Sequence, residues 1–245
     1  MEYTVQVRMN EKLFLRDPES SELGRRIVRQ SIMLIADIGF EEMTFRKLAD
    51  RINTKEASIY RYFENKHRLL VYLIAWYWQW LEYQVIFHTN NLTDPREKLD
   101  RILKILLLKN IPQPSFSLGA DAIDVSALHS IVIREASKAY LTHHVTEDNR
   151  QQLFKPYKDL CGRVAGIILE YRPDYPYARS RASSIIETAH YQAYFMQYLP
   201  SLTDFGVQRD VLPSGEDRLL EFLRHLLFSS LNAPLHELPP VHTKR

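Results

Sequence analysis

The chain has 245 residues, of which 45% are hydrophobic and seven are glycine; that is enough for one large or two small domains with a sizeable core, and the scarcity of glycine and of period-2 alternation points to helices rather than sheets. The net charge is only +2, which excludes polyanion binding through overall charge, so any nucleic-acid surface has to come from local placement. The single cysteine, Cys161, excludes an intramolecular disulfide and a cysteine-based zinc site and fits a reducing cytosol.

The opening "MEYTVQVRMNEK" carries no apolar core of a signal peptide. The longest apolar run, "LLVYLIAWYWQWL" (69–81), is too short to span a bilayer. A cytoplasmic protein with no membrane partner is therefore expected. Residues 3–15 alternate weakly around Asn10-Glu11, as a small hairpin or an extended arm would. A first helix is expected from Ser21 to Ile38, with Leu23, Ile27, Leu34, Ile35 and Ile38 near helical spacing and Gly39 ending it. Thr44 can cap a second helix at 45–52, with Leu48 and Ile52 on one face beside the small Ala49. Asn53 then tolerates a left-handed break. Thr54 can cap a third helix at 55–62 that buries Ile59 and Phe63, and Asn65 a long fourth at 66–88. Further helices are expected near 95–109, 124–143, 147–171, 177–199 and 215–231, joined by the exposed connections "NIPQPSFSLGA" and "PSLTDFGVQRDVLPSG". The reading is all-α: an arm or small hairpin at 1–20, a unit of short helices at 21–67, a larger helical unit at 68–232, and a flexible tail at 233–245.

The second and third helices, joined by three or four residues, have the form of a helix-turn-helix. The first helix of such a pair braces across the DNA backbone and the second enters the major groove. Its exposed face is expected to carry Lys55, Glu56, Ser58, Arg61 and Tyr62, with Ile59 and Phe63 turned inward. Between residues 44 and 68 seven bases stand against three acids, a local +4 in a chain of +2. Charged helix faces are commonly nothing more than solvated surface.

The run "GRRIVRQSIMLIADIGFEEMTFRKLADRINTKEASIYRYFENKHRLL" resembles the DNA-binding domain of the tetracycline-repressor (TetR) family of bacterial regulators. The features that carry the likeness are the apolar first helix ending in Gly39-Phe40, then Thr44, the "KLA" of Lys47-Leu48-Ala49, and "SIYRYFENKHRLL". The likeness covers roughly residues 22–72. It implies that Arg46 reaches a base edge or phosphate and that Lys55, Glu56, Ala57 and Ser58 start the groove-facing helix. It implies further that Tyr60 and Tyr62 touch phosphates or thymine methyls, and that Lys66 holds a phosphate. Two features depart from the family pattern: Asn53-Thr54 at the turn, and the acidic Glu56 at the groove.

The fourth helix holds Trp76, Tyr77, Trp78, Trp80, Tyr83 and Phe87. Core packing accounts for aromatics at such spacing; the family resemblance implies instead that some of them, with Trp80, Tyr83 and Phe87 as candidates, wall a ligand cavity. His129 and Arg134 are the polar candidates there, although His129 is equally well a satisfied core histidine. His143 and His144 are adjacent, so their rings point about 100° apart on a helix, which disfavours a metal pair. Gly162 and Gly166, four apart, suit close helix approach, and Cys161 beside them reads as a buried inert thiol. Surplus apolar stripes on the last two helices, Ile186, Tyr194 and Tyr198 on one and Leu220 and Leu227 on the other, predict a four-helix dimer interface. The expected function is a homodimeric transcriptional regulator, a repressor, bound to a palindromic double-stranded DNA operator and released by a small-molecule ligand. No cofactor is implied. No nucleophile–base–acid grouping, phosphate-binding glycine loop or metal motif suggests an enzyme. A helical protein-binding adaptor without DNA contacts is the alternative.

Overall fold

The computed structural model describes residues 9–109, 117–118, 121–143, 145–206 and 214–234. The fold is helical: α1 (Glu22–Glu42), α2 (Phe45–Arg51), α3 (Glu56–Tyr60), α4 (Lys66–Thr89), α5 (Pro95–Leu106), α6 (Val125–Tyr140), α7 (Val145–Arg150), α8 (Lys155–Tyr171), α9 (Ala178–Tyr198) and α10 (Gly215–Asn232). A two-residue antiparallel pairing, Ser117–Leu118 with Asp121–Ala122, precedes α6.

Side-chain caps set most of the starts. Ser21, Thr44, Asn65, Asp94 and Asp124 each accept a hydrogen bond from a backbone N–H in the first turn, and Ser214 with Asp217 forms a reciprocal capping box on α10. Gly39, at φ +79°, breaks the regular part of α1 where the sequence places it. Asn53, at φ +50°, makes the turn between α2 and α3.

Several expectations are corrected. Thr54 caps nothing: Lys55 is the N-cap residue of α3 and makes no side-chain cap bond, and α3 ends at Tyr60. The helix expected over 147–171 is two, because Gln152 at φ +61° breaks it between α7 and α8. Around Asn10-Glu11 there is a 3₁₀ turn, Glu11–Leu13, capped by Asn10. The part of the expected hairpin at 3–8, most of the first long connection, residues 207–213 of the second, His144 and the tail from 235 lie outside the described residues.

Helix α4 is buried on nearly every face, from Leu69 through Trp80, Leu81 and Val85, which fits its apolar composition all round. It packs on α5, α6 and α8, while α8 and α10 pack on α9 and α1 packs on α6. Residues 9–21 cross both halves of the chain. Asn10 Nδ2 donates to the Gln151 carbonyl at 2.8 Å, Leu13 is buried, Phe14 meets Tyr72 edge-on, and Leu15 N–H donates to the Tyr62 carbonyl at 2.8 Å. Pro18 lies so close to Gly24 that a Cβ there would stand 2.2 Å from the Pro18 oxygen. The close helix approach expected at Gly162 and Gly166 is not made among the described residues, where nothing lies within 4 Å of a Cβ built at either.

The stripes assigned to a partner chain are largely used up internally. Ile186, Leu220 and Leu227 are buried within this chain, because α9 and α10 pack on each other and on α5. Tyr194 is half-buried, and Tyr198 is exposed together with Tyr191, Leu199 and Leu202. None of the described helices is long and apolar enough to cross a membrane.

Candidate nucleic-acid interface and ligand pocket

The α2–α3 pair is held from behind by Phe45, Leu48, Ala49, Ile59 and Phe63, all buried. On its outer side Arg46, Lys55, Ala57, Tyr60 and Arg61 are exposed, with Glu56 and Ser58 half-buried. The Tyr60 ring is propped edge-on against Phe45 at 5.0 Å. Of the seven bases in this region, four have protein partners. Lys47 pairs with Glu42, Arg51 with Asp37 at 2.7 Å, and Arg68 with the buried Asp148 at 3.0 Å. Lys66 Nζ donates to the carbonyls of Phe40, Glu41 and Met43 at 3.2, 2.9 and 3.3 Å. Among the described residues Arg46, Lys55 and Arg61 have no ion pair, so their charge faces water.

Two residues stand elsewhere than the sequence suggested. Tyr62 lies past the end of α3 and is only 2% exposed. Its hydroxyl shares a 2.7 Å hydrogen bond with Ser21 Oγ, which ties it to the α1 cap rather than to a groove face. Lys66 points into the end of α1, with its ammonium also 4.9 Å over the Phe40 ring; it closes the α1 terminus in place of reaching outward.

The end of α1 is also where the α1–α3 unit meets the rest. Phe40 N–H donates to Glu135 Oε1 at 3.5 Å, and Lys138 Nζ bridges Glu41 at 2.7 Å and Glu135 at 2.8 Å. The Lys138 ammonium holds the exposed Glu41 carboxyl below its ordinary range. Lys138 is itself raised, since those two carboxylates outweigh its partial burial. No sequence signal marked this junction, because its partners are about 95 residues apart.

Most of the α4 aromatics pack into the core. Trp76, Tyr77, Trp78 and Trp80 are buried, and the crevice between Trp78, Tyr140 and Tyr157 has no room for water. Tyr83 and Phe87 stack on each other at 6.1 Å at the far end of α4, where Phe87 is 63% exposed. Instead, an accessible cavity of about 220 Å³ opens between α6 and α9, lined by Val132, Ile133, Arg134, Ala136, Ser137, Glu187, His190, Tyr191 and Tyr194. Arg134 is one of its lining residues. His129 sits behind the cavity, where its Nδ1 shares a 2.6 Å hydrogen bond with the Tyr77 hydroxyl. Burial pushes His129 down to about 4 and, together with His129, pushes His190 down to about 3, so both rings are neutral at ordinary pH. His190 Nε2 is buried without a partner. Tyr157 donates to Glu187 Oε1 at 2.5 Å. The sequence did carry a trace of the missed wall: Glu187, His190, Tyr191 and Tyr194 recur at i, i+3, i+4 and i+7 on one face of α9. Burial also pushes the Cys161 thiol up to about 11, which keeps it protonated and inert. Among the described residues no group of three or more His, Cys, Asp or Glu is placed to hold a metal.

Residues 27–73 match the model of the "Bacterial regulatory proteins, tetR family". No curated protein matches significantly. Solved structures share the fold across most of the chain. A TetR-family transcriptional regulator from Syntrophomonas wolfei aligns at a TM-score of 0.59 with 16% identity, over 85% of this chain and 97% of that one. The fatty acid degradation regulator FadR from Bacillus halodurans aligns at 0.58 with 18% identity, over 86% and 98%. AibR, in complex with isovaleryl coenzyme A and operator DNA, aligns at 0.56 with 16% identity, over 83% and 98%.

Proposed function

We propose that this chain, which belongs to the tetR family of bacterial regulatory proteins, is a repressor that binds a palindromic operator as a homodimer and leaves it when a small molecule occupies the α6–α9 cavity. The observation that carries the DNA half is the set of unpaired exposed cations, Arg46, Lys55 and Arg61, around the exposed Tyr60, Ala57 and the half-buried Ser58 and Glu56. Unpaired cations release counterions when they meet phosphates, and the short α3 offers side chains to base edges. Lys66 and Tyr62 act behind this face by fixing α1 against α4. Arm, DNA-binding half and helical half are the working parts, with α4 running through both halves. The protein works by binding, not by catalysis, and in the cytoplasm.

The ligand half rests on the position of α6. One side of α6 lines the cavity with Val132, Ile133 and Ala136, while Glu135 and Lys138 grip Phe40 and Glu41 at the end of α1. Three residues beyond Glu41, Thr44 caps α2. A ligand that shifts α6 therefore shifts the α2–α3 pair and its spacing from the partner's pair. AibR, a protein of the same fold, has been seen with an acyl-coenzyme A and its operator together. For the dimer, the exposed apolar surface at the end of α9, where Tyr194 packs on Tyr198 at 4.9 Å beside Leu199 and Leu202, offers a self-complementary patch.

A gel shift with the DNA upstream of the chain's own gene tests the reading. Binding should be lost when Arg46, Lys55 and Arg61 are changed together to alanine. Absence of binding by the wild type would favour an adaptor that does not bind DNA, and equal binding by the wild type and the triple variant would overturn Arg46, Lys55 and Arg61 as the contact set.

A further inference from the structure

The α6–α9 cavity has opposite charges on opposite walls. Arg134, on α6, donates from Nε to the Ser130 carbonyl at 3.2 Å and has no ion pair among the described residues. Glu187, on α9, has one oxygen taken by Tyr157 and has no ion pair among the described residues. The two charges share one cavity of about 220 Å³ yet no ion pair joins them. On the α9 wall with Glu187, His190 Nε2 is buried with no hydrogen-bond partner among the described residues, and the tyrosines 191 and 194 complete the wall.

That combination selects among ligand chemistries. An apolar molecule would take Arg134 and Glu187 out of water with nothing to pair them, and burying unpaired charge is costly. A purely anionic molecule would satisfy Arg134 and face Glu187 with like charge, and a purely cationic one would do the reverse. A molecule carrying both charges on neighbouring atoms satisfies both. The volume holds about seven waters at about 30 Å³ each, which suits a single small metabolite and excludes a long chain.

We propose that the α6–α9 cavity is a binding site for a free α-amino acid with an apolar side chain: its carboxylate is held by the Arg134 guanidinium, its ammonium by Glu187 Oε2 and His190 Nε2, and its side chain by Val132, Ile133 and Ala136. Bidentate guanidinium–carboxylate geometry fixes one end, and the tyrosine faces favour the ammonium at the other. His190 is able to accept from the ammonium because its ring is neutral. Three fixed points also distinguish the two hands of the amino acid. The site names the ligand class for the regulator reading above, but the binding itself does not depend on that reading.

The test uses the full chain and five probes: L-leucine, L-phenylalanine, D-phenylalanine, phenethylamine and 3-phenylpropanoate. Calorimetry should show binding of the two L-amino acids. The amine and the acid, each lacking one charge, should bind about 10- to 100-fold more weakly, as expected for loss of a charged hydrogen-bonded contact, and D-phenylalanine should also be weaker. Arg134→Met and Glu187→Gln should each weaken L-phenylalanine by a similar factor, with Arg134→Lys recovering part of it; thermal melts of the apo variants control for folding. Binding of 3-phenylpropanoate as tight as that of L-phenylalanine overturns the proposal, and so does failure of all five probes to bind. Operator affinity without ligand is read separately. Its absence would sink the regulator reading and leave the amino-acid site standing, whereas normal operator binding with no calorimetric binding of any probe would do the opposite.

Discussion

Replacing Lys66 with methionine keeps most of the side chain's bulk and removes its ammonium, which serves three backbone carbonyls at the end of α1. A hydrogen bond to a charged group is worth about 1.5–3 kcal/mol net when well made, but two of the three here exceed 3.1 Å and the ammonium is partly solvated. One good bond's worth is therefore a fair total, about 1.5 kcal/mol. The ammonium over Phe40 adds about 0.5 kcal/mol. For a chain of this size each kcal/mol moves the melting temperature by about 2–4 °C, so Lys66→Met should melt about 4–8 °C below the wild type. The same variant should leave the salt dependence of DNA binding unchanged, because Nζ points inward. Were Lys66 a phosphate contact, the slope of log K against log salt would fall by about 0.9 for each protomer. Thermal melts and salt titrations on one duplex decide between them. An unaltered melting temperature with a reduced salt slope would refute the inward assignment.

By the same titration, Arg46→Ala, Lys55→Ala and Arg61→Ala should each reduce the slope by about 0.9 per protomer, while Lys47→Ala, whose charge is held by Glu42, should reduce it less; equal slopes for all four would count against the unpaired cations as the contact set. Gly24→Ala should cost about 1–3 kcal/mol in a urea titration, because its Cβ would overlap the Pro18 carbonyl, whereas Gly162→Ala, with open space around it, should gain about 0.5–1 kcal/mol as a helix-interior change. Burial pushes the Glu19 carboxyl up to about 7 from 4.5, against the hydrogen bond it accepts from Tyr72. The folded state thus prefers the protonated acid, so this contribution is complete below about 4.5 and disappears as the pH rises through about 7; Glu19→Gln should melt above the wild type at about pH 8 and lose that advantage near pH 4.5, and a gap independent of pH would contradict the assignment. Tyr198→Asp, on the exposed end of α9, should halve the sedimenting mass without lowering the monomer's stability, while a charge at Leu227, buried in the chain, should unfold α10 instead of parting a dimer.

Local chemistry was legible in the linear sequence. Thr44 and Asn65 cap helices, and Gly39 and Asn53 take positive φ, because those properties belong to single residues and their immediate neighbours. The helix-turn-helix was legible for the same reason, since its spacing and aromatic run are contiguous. What the sequence left open was which of several eligible residues face outward. Tyr62 and Tyr60 stand two apart in "SIYRY", yet one bonds to Ser21 behind the motif and the other stays exposed; the early end of α3 decides this, and no residue type announces it. Lys66 and Arg61 carry the same charge, yet one closes the end of α1, which lies 26 residues earlier, and the other meets water. The apolar stripes of α9 and α10 fit a partner chain as well as their own, and only the packing of the two helices on each other and on α5 assigned Ile186, Leu220 and Leu227 to the interior. The cavity between α6 and α9 and the grip of α6 on α1 arise from contacts between segments about 50 to 100 residues apart, which a periodic pattern on either helix cannot encode. Caps, breaks and the helix-turn-helix are thus sequence properties fixed by short-range sterics and hydrogen bonding. Which charges stay free and where a ligand can enter are decided by long-range packing, which only the tertiary structure contains.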